Sequence, residues 1–143
     1  MFKSIVVGTD GSETAQRAVD RAAEIAAATG AKVHVVSAYS PGPVRVAGGA
    51  EAKAEGLHIG SDYNVDSILQ RTLHRLRDDG LDVKDHSPKG DPADGIIDVA
   101  KREQADLIVI GSVGMQGKRR ILGSVPNKVS HNAPCDVLIV QTT

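Results

Sequence analysis

The feature that most constrains the fold is a regular alternation between short apolar runs and amphipathic stretches of helical length. The apolar runs predict strands over residues 4–9, 32–39, 81–87, 106–110 and 135–140. The stretches between them predict helices over residues 12–29 and 62–79, from Asp91-Pro92 onwards, and from Ser124 to before Pro134. Because a helix separates each pair of strands, the strands should be parallel with right-handed crossovers. The sequence therefore predicts one doubly wound α/β domain over residues 1–143, with helices on both faces of a five-stranded parallel sheet.

Side chains that cap helices support these boundaries. Asp10 or Ser12 can cap the first helix, and Ser124 can cap the last one. Asp91 supplies a capping carboxylate directly before a proline, which suits the first helical position. Residues 40–60 contain two prolines and five glycines, so they predict a long loop.

Composition excludes several classes of protein. The 17 Lys and Arg residues nearly balance the 18 Asp and Glu residues, which argues against nucleic-acid binding through bulk charge. Cys135 is the single cysteine, so neither an internal disulfide nor a cysteine-rich zinc site is expected. The apolar run at the start is too short for a signal peptide, and no stretch approaches the 18 apolar residues that a membrane span needs. We therefore expect an intracellular, cytoplasmic protein with no membrane partner.

Two unusual turns follow predicted strands. The first covers residues 8–12, and the second covers residues 111–114 and is followed by a glycine and serine at 123–124 that open a helix. In an open parallel sheet, ligands bind beyond the carboxyl ends of the strands, where the strand order reverses. An assumed order of 3-2-1-4-5 would bring both turns to one crevice.

The second turn is typical of an anion site. Backbone N–H groups at Gly123 and Ser124 would point out of the helix, where the dipole favours negative charge. Lys118, Arg119 or Arg120 could add positive charge beside a phosphate. The alternative is that Ser124 only caps its helix and that the three basic residues form a solvated loop.

Common nucleotide motifs are absent. A P-loop needs Gly, four residues, and then Gly-Lys-Ser/Thr, but Lys118 is followed by Arg119. The first turn has too few glycines for a dinucleotide fingerprint, and a chain with 2% aromatic residues offers little for a flavin. A phospho-acceptor receiver domain would need an acidic pair after the first strand, which this sequence lacks.

Four segments occur together: IVVGTDGS at 5–12, IGSVG at 110–114, GSVPNKV at 123–129 and APCDVLIV at 133–140. This combination resembles the universal stress protein family over nearly the whole chain. The resemblance implies the strand order 3-2-1-4-5 and a homodimer. It also implies that the protein binds ATP or a related adenine nucleotide, such as AMP or cyclic AMP, as a stress or metabolic sensor.

The resemblance also implies roles for individual residues. Gly111 and Gly114, with Ser112 between them, would line the ribose and phosphate. The phosphates would be held by backbone amides and a hydroxyl in the stretch formed by Gly123, Ser124 and Val125.

The first turn and the second strand would complete the site. Thr9 and Asp10 would lie beside the nucleotide, with Asp10 near the ribose or a phosphate-bound Mg²⁺. The backbone of Ala38 would meet the adenine edge.

The glycine motif departs from the family pattern at one point. The pattern has nine residues between its second glycine and the Gly-Ser/Thr pair, whereas residues 115–122 number eight. The shorter loop could weaken binding or favour a smaller phosphate group, and Gly117 within it could absorb the change.

The candidate catalytic residues are few. Asp10 is the acidic side chain that can be placed at the crevice, and the five histidines lack the short spacing of local metal sites. His34 alternates with valines along the second strand, which predicts a packed or edge histidine. We therefore favour a binding protein over an efficient enzyme. A nucleotide-independent interaction scaffold and a weak ATPase, with Asp10 holding Mg²⁺, stay open as alternatives.

The fifth strand bears on assembly. In the assumed order it lies at an edge of the sheet, yet residues 137–140 are apolar throughout. Exposed edges of this kind favour pairing, so we expect a symmetric homodimer through this strand. The alternative is that the last helix and the C-terminal tail cover it. A further protein partner is not identified by the sequence.

Overall fold

The computed structural model describes residues 1–39, 66–113 and 122–142. The strands are β1 (Ser4–Gly8), β2 (Lys32–Val36), β3 (Val83–His86), β4 (Leu107–Gly111) and β5 (Asp136–Val140). The helices are α1 (Glu13–Thr29), α2 (described over 66–78), α3 (Pro92–Arg102) and α4 (Ser124–Asn132). The predicted loop at 40–60, Gly114 and the basic residues 118–120 lie outside the described residues.

The five strands form one parallel sheet in the order β3-β2-β1-β4-β5. This confirms the predicted fold class and the assumed strand order. The order reverses at β1, because β2 lies on one side of it and β4 on the other. The carboxyl ends of β1 and β4 therefore diverge at the place where open α/β sheets bind ligands.

Two apolar layers cover the two faces of the sheet. Along β1, Ile5 and Val7 pack on the face covered by α1 and α2, while Val6 packs on the face covered by α3 and α4. All three side chains are fully buried, which is why β1 reads as a continuous apolar run rather than as an alternating one. No helix among the described residues is long and apolar enough to cross a membrane.

The helix starts agree in part with the sequence analysis. The hydroxyl of Ser12 caps α1 by accepting a hydrogen bond from the amide of Ala15, and Asp91 caps α3. The prediction that Ser124 caps α4 was wrong, because the N-cap is Gly123 and no side chain caps this helix. The extended backbone of Gly123 leads directly into the helix, so Ser124 is already its first residue.

Strand β2 ends three residues earlier than predicted. Beyond Val36 the chain keeps bonding to the β3 side, where the amides of Ser37 and Tyr39 donate to the carbonyls of His86 and Pro88 at 3.0 Å each. On the other side β1 has ended at Gly8. Among the described residues, 37–39 therefore have one neighbouring segment instead of two, and the pairing continues as an isolated bridge at Tyr39.

Candidate functional site

A cleft of about 380 Å³ lies at the carboxyl ends of β1, β2 and β4. The first turns of α3 and α4 form its opposite side. It is lined by Gly8, Thr9, Asp10, Val36, Ala38, Pro92, Ile96, Ile110, Gly111, Val113, Gly123, Ser124, Val125 and Pro126. A cleft of this size, largely apolar with a few polar groups, suits a small organic ligand.

The floor of the cleft is apolar. Val36, Ile96, Ile110 and Val113 are buried and line it from β2, α3, β4 and the turn after β4. The sequence analysis did not select these residues, because apolar residues at strand ends look the same whether they fill a core or line a cleft. Such a floor can cover one face of a flat ring, although the described cleft residues include no aromatic side chain.

The start of α4 supplies main-chain donors. Among the described residues, the amides of Ser124 and Val125 have no hydrogen-bond acceptor, and Pro126 has no N–H to offer. No acidic residue occupies the first turn of α4, so the helix itself supplies no negative charge at the positive end of its dipole. This helix end therefore presents two amides and a positive potential to the cleft, which favours an anion.

The amide of Gly123 is not available in the way the resemblance implied. It donates to the carbonyl oxygen of Ser112 at 2.8 Å, which ties the start of α4 to the turn after β4. The carbonyl of Gly123 accepts from the amide of Asn127 within the first helical turn. Gly123 thus positions the two neighbouring donors rather than adding a third one.

Thr142 braces the turn after β4 from behind. Its buried hydroxyl accepts from the amide of Val113 at 3.2 Å, donates to the carbonyl of the same residue at 3.1 Å, and lies 3.2 Å from the hydroxyl of Ser112. A Cβ on Gly111 would come within 2.9 Å of the Thr142 methyl group. This glycine is therefore needed for packing against Thr142, whatever ligand it also approaches.

Ala38 lines the cleft, and its main-chain amide and carbonyl are directed toward it. Residues 37 and 39 direct their amides to the β3 side, so Ala38 directs its own groups to the opposite side, where β1 has ended. Among the described residues, the amide and carbonyl of Ala38 have no backbone partner. They are placed to pair with a donor and an acceptor on a ligand edge.

The turn after β1 closes the site. The hydroxyl of Thr9 accepts from the amide of Gly11 at 3.0 Å, and Asp10 Oδ1 accepts from the amide of Ser12 at 2.9 Å. Gly11 has φ of 82°, a conformation that side chains disfavour, and a Cβ there would also meet Ile68 at 2.6 Å. These contacts hold Asp10 at the exposed rim, where it is the acidic side chain among the described residues that line the cleft.

An ion-pair cluster joins the two helices at the lip of the cleft. Lys128 on α4 reaches Asp91 at 3.3 Å and Asp94 at 2.9 Å, both at the start of α3. The amide of Asp94, and then Lys128, hold the pKa of Asp91 below its ordinary value. Because these side chains are about half exposed, the cluster contributes little to stability and mainly orients the two helix ends.

The structure brings most of the predicted site residues together. The cleft is lined by Thr9, Asp10, Ala38, Gly111, Gly123, Ser124 and Val125. Ser112 is not among the lining residues and acts through its bonds to Gly123 and Thr142, and Gly114 lies outside the described residues. Thr142 was missed, because its hydroxyl accepts a hydrogen bond from an amide 29 residues away in the chain and no local motif indicates this contact.

Comparison with known proteins agrees with this architecture. The model of the universal stress protein family matches residues 1–141. The universal stress protein Rv1636 of Mycobacterium tuberculosis is 41% identical over 144 residues, which cover 99% of this chain and 98% of that relative. A crystal structure of a universal stress protein in complex with cAMP is 36% identical, with a TM-score of 0.76, over 99% of this chain and 98% of that one. The universal stress protein from Archaeoglobus fulgidus in complex with dAMP is 27% identical, with a TM-score of 0.68, over 97% and 98% of the two chains. The chain belongs to the universal stress protein family.

Proposed function

We propose that this protein binds an adenine nucleotide in the cleft at the carboxyl ends of β1, β2 and β4, and that a homodimer uses the bound nucleotide as a stress or metabolic signal. Membership of the family supports the proposal, as do the two related structures that hold cAMP and dAMP. The observation that carries it is a pair of amides, at Ser124 and Val125, that have no acceptor among the described residues and open into the same cleft as the main-chain groups of Ala38.

The phosphate lies at the start of α4. Two amides and the Ser124 hydroxyl donate to its oxygens, and the helix dipole adds a favourable potential, each such interaction being worth about 0.3–1 kcal/mol when exposed. The adenine lies over the apolar floor with its edge at Ala38. An edge of this kind offers a ring nitrogen that accepts and an amino group that donates, which match the amide and the carbonyl of one residue.

Among the described residues, two free amides line the phosphate end of the cleft, which suits one phosphate group, and the glycine loop is one residue shorter than the family pattern. We therefore rank AMP and cyclic AMP ahead of ATP. Asp10 would repel additional phosphates unless a Mg²⁺ ion lay between them. One exposed carboxylate fits Mg²⁺, which is commonly bound through one or two carboxylates, substrate phosphates and water.

The test is titration calorimetry of the full chain with adenosine, AMP, cyclic AMP, and ATP with and without Mg²⁺. The variant Ser124→Glu places a carboxylate at the start of α4, where it suits the helix dipole but repels a phosphate. The matched control is Ser130→Glu, the same change at an exposed position six residues further along α4. We expect Ser124→Glu to lose AMP and cyclic AMP while keeping its affinity for adenosine, and Ser130→Glu to bind all ligands as the parent protein does.

The outcomes separate the alternatives. Binding of AMP that is equally strong in both variants means that the phosphate lies elsewhere. An absence of binding by the parent protein to every ligand favours the nucleotide-independent scaffold. Phosphate release from ATP above that of a heat-denatured control would support the alternative that the protein is a weak ATPase.

The dimer is proposed to form through β5. This strand pairs with β4 on one side, and among the described residues no strand pairs with its other side. The carbonyl of Val140 bonds to the β4 side, so by alternation the main-chain groups of Ile139 face the free edge. Val137, Leu138 and Ile139 stay partly exposed in the single chain, which leaves apolar surface for a second copy to cover.

The variant Ile139→Pro tests this assembly, because it removes an edge N–H without removing a bond to β4. We expect the parent protein and Ile139→Val to scatter light as dimers at micromolar concentration and Ile139→Pro as a folded monomer. A parent protein that is monomeric under these conditions excludes this interface.

A further inference from the structure

Three metal-ligating side chains converge on the side of the sheet away from α1. His34 Nδ1 on β2 lies 3.0 Å from His86 Nε2 at the end of β3, and Glu103 directly follows α3. The ligand atoms of the three residues all lie within 4.8 Å of one another. His34 is 2% exposed, and the other two residues are half-buried.

The fold explains why these residues meet. His34 alternates with Val33 and Val35, which pack in the α1 and α2 layer, so its ring lies on the α3 face. His86 is in register with Val36, two residues further along β2, and therefore points to the same face. The C-terminal end of α3 crosses this edge of the sheet and brings Glu103 to the two rings. His34 and His86 are 52 residues apart in the chain.

We propose that His34, His86 and Glu103 bind a divalent transition-metal ion of the zinc type at the β2–β3 edge of the sheet, separate from the nucleotide cleft. Imidazole nitrogens and a carboxylate oxygen are ligands that Zn²⁺ and its neighbours accept readily. Three protein ligands leave the fourth tetrahedral position to water. None of the three residues lines the nucleotide cleft.

The geometry needs little adjustment. In a tetrahedral zinc site, with Zn–N of about 2.0–2.1 Å, the two nitrogens would lie about 3.3 Å apart. The observed separation is 3.0 Å, so the two nitrogens need to move apart by a few tenths of an ångström, and both rings need to turn toward the metal position. Both rings tilt against each other at 45°, with centroids 5.1 Å apart, and do not stack.

Proton balance is also satisfied. A guanidinium nitrogen of Arg102 lies 3.4 Å from His86 Nδ1 and can only donate, which favours the tautomer in which His86 carries its proton on Nε2 and donates it to His34. When a metal binds, His86 releases this proton from Nε2 and takes one up at Nδ1, and Arg102 moves away. No net proton is lost, and each neutral ring presents one lone pair to the metal.

Two cations compete with the metal for the carboxylate. Lys84 and Arg102 each lie 3.9 Å from Glu103 Oε2, which is longer than a hydrogen bond. Both side chains are more than half exposed and can turn into solvent, whereas Glu103 is 24% exposed. The rings themselves are suited to a metal, because burial lowers the pKa of both and leaves them neutral at pH 7.

The test uses the full chain without an affinity tag, stripped with EDTA and free of nucleotide. Zn²⁺ is titrated by calorimetry, and Co²⁺ is titrated by its visible absorption, which reports a tetrahedral nitrogen and oxygen environment. The variants are Glu103→Gln and His86→Gln, and His131→Gln removes an exposed histidine of α4 as the matched control. Circular dichroism establishes that each variant is folded.

We expect one metal ion per chain in the parent protein and in His131→Gln, with the visible Co²⁺ spectrum. Both ligand variants should bind at least about tenfold more weakly and lose that spectrum. Glu103→Gln keeps the shape of the side chain, so it remains decisive if His86→Gln folds poorly. The proposal is overturned if the parent protein binds no stoichiometric Zn²⁺, or if all folded variants bind it equally. Because no nucleotide is present, neither result depends on the proposed function.

Discussion

The cleft proposed to bind a nucleotide and the cluster of His34, His86 and Glu103 occupy the same fold but are built from different parts of the chain. The cleft offers main-chain groups at the start of α4 and after β2, held in place by small residues. The cluster offers side chains from two neighbouring strands and the end of a helix. The cleft thus offers backbone groups and the cluster offers side chains, and only the backbone groups coincide with a local motif in the sequence.

The two regions also differ in how they are supported. The turn after β4 is held from behind by Thr142, whose hydroxyl bonds both polar groups of Val113. The histidine cluster is held by burial of one ring and by the register between β2 and β3. We therefore expect the cleft to respond to changes at Thr142, and the cluster to respond to pH.

The largest expected effect is that a variant in each region weakens only the ligand of that region. Ser124→Glu should weaken AMP binding by about 100-fold, equivalent to about 2.7 kcal/mol, and leave Zn²⁺ affinity unchanged. Glu103→Gln should weaken Zn²⁺ binding and leave AMP affinity unchanged. Both ligands are titrated into both variants by calorimetry. If either variant weakens both ligands to the same extent, the two regions are coupled and the comparison fails.

The second effect concerns the brace behind the turn. Thr142→Val keeps the shape of a buried side chain but leaves the amide and carbonyl of Val113 without a partner, so the free energy of unfolding should fall by about 1–3 kcal/mol. AMP binding should weaken by about tenfold, because the turn positions the start of α4 through Ser112 and Gly123. Urea denaturation and calorimetry measure the two effects.

Thr142→Ser is the matched control, since it retains the hydroxyl and removes the methyl group near Gly111. It should keep most of the AMP affinity. Equal losses in Thr142→Val and Thr142→Ser would assign the role of Thr142 to packing alone.

The third effect is a pH dependence of the EDTA-treated protein. Burial, and then the nearby His34, lower the pKa of His86 from 6.5 to about 4, with smaller effects of Glu103, Arg102 and Lys84. Between these values the unfolded chain binds more protons than the folded chain, so the free energy of unfolding should fall as the pH drops from 6.5 to 4. We expect a loss of about 1–2 kcal/mol, reduced from the full shift because His86 is partly exposed.

Denaturation at several pH values measures this dependence. His86→Gln should make the curve less steep within this window, because only the buried His34 then contributes, whereas His131→Gln should stay close to the parent protein. A parent curve that is already flat between pH 4 and 6.5 would contradict the neutral, buried histidine pair.

The smallest effect is expected at the lip of the cleft. Lys128→Ala removes the ion pairs that join α3 to α4, but they are about half exposed. Nucleotide affinity should change by less than about twofold, and the effect should shrink further at high salt. A larger loss would mean that Lys128 contacts the phosphate directly.

Most of the fold could be predicted because its signals are local. The apolar runs marked all five strands, and the caps at Ser12 and Asp91 marked two helix starts. The end of β2 was misplaced because it depends on where β1 turns away, which is a property of a neighbouring strand. The cap of α4 was assigned to Ser124 instead of Gly123, because the contact that fixes that boundary is made to Ser112.

In the candidate site, too, the local features could be predicted from the sequence and the long-range contacts could not. The turns after β1 and β4 could be predicted as neighbours once parallel strands and the strand order were assumed. The amide of Gly123 was counted as a phosphate donor because its bond to Ser112 is not visible in the sequence. The apolar floor and Thr142 were missed for the same reason, since their contacts join residues that are distant in the chain.

The sequence alone determined the strand and helix content, the parallel pairing and the small residues at the carboxyl ends of β1 and β4. It did so because hydrophobic periodicity, capping and backbone freedom act over a few residues. The tertiary structure decided which amides remain free, what braces them, and that two histidines 52 residues apart share a hydrogen bond beside a carboxylate. These features depend on strand register and helix crossing, which are set by the packing of the whole chain.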